Sequence, residues 1–264
     1  MYFKNKKIGF KNIRIHIILI ITFIILLIPV GIMISTSLKQ GGFSNYITVS
    51  SDTRIPRSLL NSLIISVPSV IIVVFISSLT AFALSKLKII AKGVIFSIFL
   101  AGLMIPVSAI IVQLFIMMVK FRLVNNYLSV ILPVSALVMP FGLLVLKNYM
   151  DDIPNEIIEA ALIDGCTPFA IYMKIMFPLS LPAVASVTIF TFLASWNEFL
   201  MPLLFLRKQS LMPATVIPTL YMGDLFGSVS LWMTSFVMLT LPVLVLYLIF
   251  QRYFIKGLTA GAIK

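Results

Sequence analysis

The sequence predicts an all-α, polytopic integral membrane protein with six transmembrane helices. Three observations carry this. Hydrophobic residues make up 61% of the 264-residue chain and charged residues 11%, with a mean hydropathy of +1.14. A soluble domain is about half apolar and about a quarter charged, so a core of this size cannot hide the excess and lipid must be the solvent. The apolar residues fall in runs of about 20, the length that crosses a bilayer as a helix. Lys and Arg flank these runs instead of forming one stripe, which is the pattern that sets membrane topology. That placement also excludes nucleic acid as the partner behind the net charge of +12.

The first span, 15–36, follows Lys4, Lys6, Lys7, Lys11 and Arg14. A cleavable signal begins the same way, but this apolar run exceeds a signal core and no A-x-A site follows it. The helix is expected to be retained, so that 1–58 forms a cytoplasmic N-terminus, the first span and an extracytoplasmic loop. Five more spans are expected at 59–84, 93–119, 127–146, 183–206 and 230–253, giving a five-helix core over 59–255 and a short tail over 256–264. With the N-terminus in the cytoplasm, Lys39, Arg54, Arg57, Lys120, Arg122, Arg207 and Lys208 fall outside. The other 13 of the 20 Lys and Arg fall inside, which favours two cytoplasmic termini by the positive-inside rule. Pro68, Pro106, Pro133, Pro140, Pro202 and Pro242 lie within spans and are expected to bend them, with neighbouring helices satisfying the freed backbone groups. His16 reads as an interfacial residue beside the first basic flank.

The fourth and fifth spans are separated by 148–182, "NYMDDIPNEIIEAALIDGCTPFAIYMKIMFPLSLP". Five of the chain's eight acids, Asp151, Asp152, Glu156, Glu159 and Asp164, fall here, although acids contribute little to orientation. Pro154 suits the start of a helix, where a missing N–H costs nothing. Asp151, Asp152 and Glu156 sit where the helix dipole favours negative charge. Glu156, Glu159, Ala160 and Ile163 form one stripe of that helix. Gly165 reads as a left-handed stop. Thr167 and Pro168 then open a second helix, expected to run to about Phe177 and to be ended by Pro178 and Pro182. Cys166 is a small residue in the turn. Ala160 and Ala161 leave room for another surface, and the apolar second helix, with Lys174, is expected at the membrane interface or under the bundle. The residues fit two readings, an ordinary solvated connection or a docking surface. The length exceeds the ~2–8 residues of most helix connections, and both halves are capped, which favours docking.

Glu198 is the only acid inside an expected span. An intramembrane charge costs at least about 2.5–3.5 kcal/mol on insertion scales, so either it lines a pathway with Trp196 and Asn197, or it is a helix-end carboxylate paired with a neighbouring span. With one His and one Cys, neither a catalytic constellation nor a protein-built metal or cofactor site is expected. The chain lacks the G-x-x-x-x-G-K-[ST] phosphate loop and is not expected to hydrolyse ATP itself.

"EAALIDG" followed by "FPLSLP" resembles the cytoplasmic EAA loop of binding-protein-dependent ABC importer permeases. The fuller run 153–182 is similar to the form in carbohydrate-importer permeases of the maltose type, as are "SWNEFLMPLLFL" at 195–206 and "QRYFIKGLTAGAIK" at the C-terminus. The resemblance covers about 61–264 and departs from the pattern at Cys166, where a smaller residue is usual. It implies a type I ABC importer transmembrane fold in a bacterial plasma membrane. It implies a second homologous permease, two ATPase subunits, an extracytoplasmic solute-binding protein and a sugar substrate, with no cofactor in this chain. Glu159, Ala160, Ala161, Asp164 and Gly165 match the loop's motif positions, whose short helix sits in a cleft of the ATPase. The tail is implied to tuck toward the ATPase interface. An ion-coupled secondary transporter is the alternative. Such a protein usually shows inverted repeats and a midplane ion site, and this sequence shows no internal repeat.

Overall fold

The computed structural model describes residues 10–223 and 228–260. Lys4, Lys6 and Lys7 of the basic N-terminal flank and residues 261–264 of the tail lie outside the described residues, as do the side chains of Lys11, Arg14, Arg252 and Lys256. Among the described residues there is no strand. The helices are α1 (Phe10–Ser37), α2 (Ser44–Ser50), α3 (Arg54–Lys86), α4 (Lys92–Ala101), α5 (Val107–Lys120), α6 (Leu128–Asp151), α7 (Asn155–Ile163), α8 (Pro168–Ile171), α9 (Phe177–Leu179), α10 (Leu181–Trp196), α11 (Leu200–Phe205), α12 (Ile217–Gly223) and α13 (Val229–Ala260).

Among the described residues, three helices are long and apolar enough to cross a membrane: Ile15–Ser37 within α1, α3 and α6. Two bent pairs, Lys92–Met104 with Val107–Lys120 and Pro168–Leu179 with Leu181–Trp196, raise the number to five, and Val229–Val245 within α13 is a shorter apolar stretch. Each of the six expected spans therefore has a helical counterpart.

Two of them differ from the expectation. The third is bent by 99° between Met104 and Val107. Gly102 is a poor helix former, and Ile105, held extended ahead of Pro106 at φ −84° and ψ 111°, cannot continue the helix. The fifth stops at Trp196 and restarts as the short α11. By contrast, Pro133 and Pro140 both sit inside an α6 that remains one helix.

The chain divides into two compact units. The larger comprises Thr53–Ile217 with Pro242–Lys264, and its core is made by α3, α6 and α10 packed together. Ser58, Ser62, Ser66, Ser69, Ser77 and Ala81 on α3 are buried. Small residues at helical spacing let backbones approach where lipid supplies no hydrophobic drive for association. Gly142 on α6 marks a tight point, since a Cβ there would lie 2.8 Å from Ser77 Oγ and 3.1 Å from Val187 Cγ1.

The smaller unit comprises Met1–Asp52 with Pro218–Leu241. None of the apolar window of α1 is buried, as expected for a helix whose solvent is lipid. Its C-terminal end is tied down. Asn45 Nδ2 donates to Ser37 O at 2.9 Å and Lys39 O at 3.1 Å. Thr234 Oγ1 donates to Ser37 O at 3.2 Å, and the Ser37 and Tyr46 hydroxyls pair at 2.6 Å.

Candidate functional site

The insert folds as helix, glycine turn, helix because its local chemistry dictates each part. Pro154 precedes α7 as its cap residue, and Glu156 falls in the first turn, where the helix dipole favours an acid. Gly165, at φ +79°, ends the helix. Its N–H donates to Leu162 O at 3.0 Å, and the Cys166 N–H reaches back to Ala161 O at 3.0 Å. This pair of bonds satisfies carbonyls that a helix end otherwise leaves open. Thr167 Oγ1 then accepts from the Ala170 N–H at 3.3 Å, and Pro168 takes the first position of α8.

Beyond α8 the chain widens into a π turn over Tyr172–Met176, with the Phe177 N–H bonded to Tyr172 O. Pro178 accounts for it: a proline removes the bond to the carbonyl four residues back and clashes with it, and a π turn relieves that crowding. The expected ends are corrected accordingly. Pro178 lies inside α9 and Pro182 inside α10. The break falls between them at Ser180, where the two helical segments meet at 78°.

The insert has distinct inner and outer faces. Ile158, Ala161, Ile171, Tyr172 and Met176 are buried in the larger unit's core. Glu156, Glu159, Ala160, Ile163, Asp164 and Gly165 are exposed, and Ile163 is 87% exposed. The sequence stripe of Glu156, Glu159, Ala160 and Ile163 is thus the outer face. Ala161 is the exception among the motif residues: at 5% exposure it packs inward and offers no room to another surface.

Sequence reasoning missed the residues that hold this insert. Lys86, at the end of α3, donates from Nζ to Ile153 O at 2.6 Å and Asn155 Oδ1 at 2.9 Å. The Tyr172 hydroxyl pairs with Ser78 Oγ at 2.7 Å, and its ring lies 5.7 Å from that of Phe82. Lys147 and Asp151 form an i,i+4 ion pair at 2.6 Å near the end of α6. In the sequence Lys86 reads only as one of the 13 basic residues expected on the cytoplasmic side. A tyrosine on an otherwise apolar helix was the available signal for Tyr172.

Trp196, Asn197 and Glu198 lie at the opposite end of α10, about 24 Å from the insert for its 16 residues. Trp196 is buried at 4% exposure, with its ring 5.4 Å from Phe192. Asn197 is exposed in the break after α10 and Glu198 is half-buried. Glu198 Oε1 accepts from the Met201 N–H at 3.0 Å, and its carbonyl accepts from Thr215 Oγ1 at 2.8 Å. The carboxylate therefore satisfies an N–H in the first turn of α11 and stands at a helix break, not inside a continuous span.

A loop over 206–216 is stapled to the far end of α3. Asn61 Nδ2 donates to Ser210 O at 3.0 Å and Met212 O at 2.9 Å, while Tyr127 Oη donates to Asn61 Oδ1 at 2.7 Å. Asn125 Oδ1 accepts from the Arg207 and Lys208 N–H groups at 2.7 Å and 3.1 Å. An asparagine in the middle of an apolar run, such as Asn61, was the sequence signal for this staple.

The family described as "Binding-protein-dependent transport system inner membrane component" matches residues 74–260. The chain is 36% identical over 204 residues to the arabinooligosaccharides transport system permease protein AraQ of Halalkalibacterium halodurans, covering 77% of this chain and 72% of that protein. It is 36% identical over 228 residues to the trehalose/maltose transport system permease protein MalG of Thermococcus litoralis, covering 83% and 80%. A chain in the crystal structure of a bacterial ABC transporter involved in the import of the acidic polysaccharide alginate superposes with a TM-score of 0.80 at 23% identity, over 96% of this chain and 100% of that one. At that identity the likeness speaks to the fold, the type I ABC importer transmembrane fold.

Proposed function

The chain belongs to the family of binding-protein-dependent transport system inner membrane components, and we propose that it forms half of the translocation pathway of an ATP-driven importer for a sugar or oligosaccharide. The relatives' substrates support the solute class. Its partners in this reading are a second homologous permease, two ATPase subunits as separate chains and an extracytoplasmic solute-binding protein. Both termini lie in the cytoplasm of a bacterial plasma membrane, and the division into 1–58, a core over 59–255 and a tail over 256–264 follows from that topology.

One observation carries the reading. A capped nine-residue helix presents Glu159, Ala160, Ile163 and Asp164 outward while its other face is locked into the core by Ile158 and Ala161. So short a helix is marginal in water by itself, and this one is held by tertiary contacts and by the Gly165 turn that closes its C-terminal end. Glu159 and Asp164 supply charge, Ala160 gives close approach and Ile163 supplies apolar area to an ATPase cleft. Closure of two ATPase subunits on ATP displaces α7 as a body and rocks the helices joined to it, exchanging inward- and outward-facing states. Asn197 and Glu198 contribute to the wall of the pathway in this reading, Asn197 by its exposed amide and Glu198 by fixing the break that exposes it, while Trp196, buried beside Phe192, supports the end of α10 instead of lining the wall. Ion-coupled transport has no support in Glu198, whose carboxylate is engaged by the Met201 N–H.

The test is a mild-detergent pull-down of the tagged chain with mass spectrometry. An ATPase subunit and a second, related permease are expected with wild type, with the ATPase lost and the permease kept in Glu159→Lys. A folded chain that purifies alone refutes the importer reading.

A further inference from the structure

The chain joins the insert covalently only to α6 and α10. Both joints are bent: one runs through Ile153 and Pro154, the other turns at Ser180 by 78°. A displacement of α7 passing through two bends is absorbed by backbone rotation unless something braces them. The brace comes from a helix to which the insert has no direct covalent link. Lys86 Nζ bonds the Ile153 carbonyl on one side of Pro154 and Asn155 Oδ1 on the other, at 2.6 Å and 2.9 Å. The second arm is held by the Ser78–Tyr172 bond at 2.7 Å and the Phe82–Tyr172 ring contact. Ser78, Phe82 and Lys86 stand at i, i+4 and i+8, one stripe of α3. Asn61, which holds the carbonyls of Ser210 and Met212, lies 25 residues earlier on the same helix, about 38 Å away.

We propose that Lys86 is a positioning residue that fastens the insert to α3, so that α3 moves with α7 and carries the displacement of the ATPase-facing end directly to the 206–216 loop at the other end. The inference rests on the importer reading and adds a route for its coupling. Lys suits this role because one ammonium has three donors that can grip a carbonyl and an amide oxygen together.

The test uses the assembled complex in detergent, with spin labels on Leu79→Cys of α3 and Ile157→Cys of α7 in a Cys166→Ser background. Cys166 is the only native thiol, and Leu79 and Ile157 are 36% and 38% exposed. With Lys86 in place, the label-to-label distribution is expected to be one narrow peak, unshifted between the nucleotide-free and ATP–vanadate-trapped states. Lys86→Met is expected to lose that single peak, and Lys86→Arg, which keeps a charged donor, to restore it. Tyr172→Phe, which deletes one hydroxyl and keeps the ring, is expected to widen the peak and decides alone if Lys86→Met fails to fold. Variants as narrow and as nucleotide-independent as wild type overturn the fastening. A wild-type preparation without an ATPase subunit overturns the importer reading instead.

Discussion

Gly165→Val isolates the backbone requirement of the insert. Gly165 sits at φ +79°, and a Cβ built on it meets nothing within 4 Å. The substitution therefore creates no clash, and its cost is conformational. A left-handed backbone costs an L residue roughly 1–2 kcal/mol, and β-branching makes the region harder to occupy. If the turn relaxes to avoid this, the Gly165 and Cys166 N–H bonds to Leu162 O and Ala161 O go with it, and the outer face of α7 loses its orientation. Since each 1.4 kcal/mol is tenfold in an equilibrium constant, the affinity for the ATPase subunit is expected to fall about tenfold. The assay is the Kd of the purified ATPase for the detergent-solubilised permease pair, with thermal unfolding measured alongside. Gly165→Asn, whose side chain tolerates the left-handed region, is expected to bind near wild-type strength. Gly165→Val with unchanged affinity, or Gly165→Asn as damaging as Gly165→Val, refutes the reasoning.

Four further outcomes are expected. Gly142→Ala forces a methyl to 2.8 Å from Ser77 Oγ and 3.1 Å from Val187 Cγ1, an overpacking that costs about 1–3 kcal/mol and is read as a lower unfolding temperature, relieved in part by Ser77→Gly. Asn61→Leu strands the Met212 carbonyl and removes the acceptor of the Tyr127 hydroxyl, while Ser210 O keeps the bond from Arg57 Nε at 2.9 Å; at about 1–3 kcal/mol for an unsatisfied buried group, it is expected to expose the 206–216 loop to limited proteolysis. Glu198→Gln keeps an oxygen acceptor for the Met201 N–H and is expected to leave stability unchanged, whereas Glu198→Ala loses that hydrogen bond, worth about 0.5–1.5 kcal/mol. Asn197→Ala is expected to slow uptake in whole cells without changing the amount of folded protein, and unaltered uptake kinetics remove Asn197 from the pathway.

Three devices of the insert were legible from sequence because they are local, whereas the bonds from Lys86 and Ser78 come from residues far away in the chain. The dipole-facing Glu156, the left-handed Gly165 and the Thr167–Pro168 cap act within a few residues, and the structure realises each one. The placement of Glu198 was only half legible. Its charge in an apolar run was plain, but its bond from the Met201 N–H depended on the helix ending at Trp196, a boundary that apolar periodicity does not mark.

Composition and the position of charges determined the solvent, the all-helical class and the helix–turn–helix form of the insert, since transfer energies and backbone preferences belong to residues and their near neighbours. Tertiary structure alone decided the rest. Ala160 and Ala161 are adjacent and chemically identical, yet one faces outward and the other is buried, because helix rotation is set by what Ile158 packs against. Gly142 is indispensable only because Ser77 and Val187 arrive beside it from helices 65 and 45 residues away in sequence. Lys86 binds the insert only because α3 ends where α7 begins. Contacts between residues far apart in the chain exist only once the helices have packed.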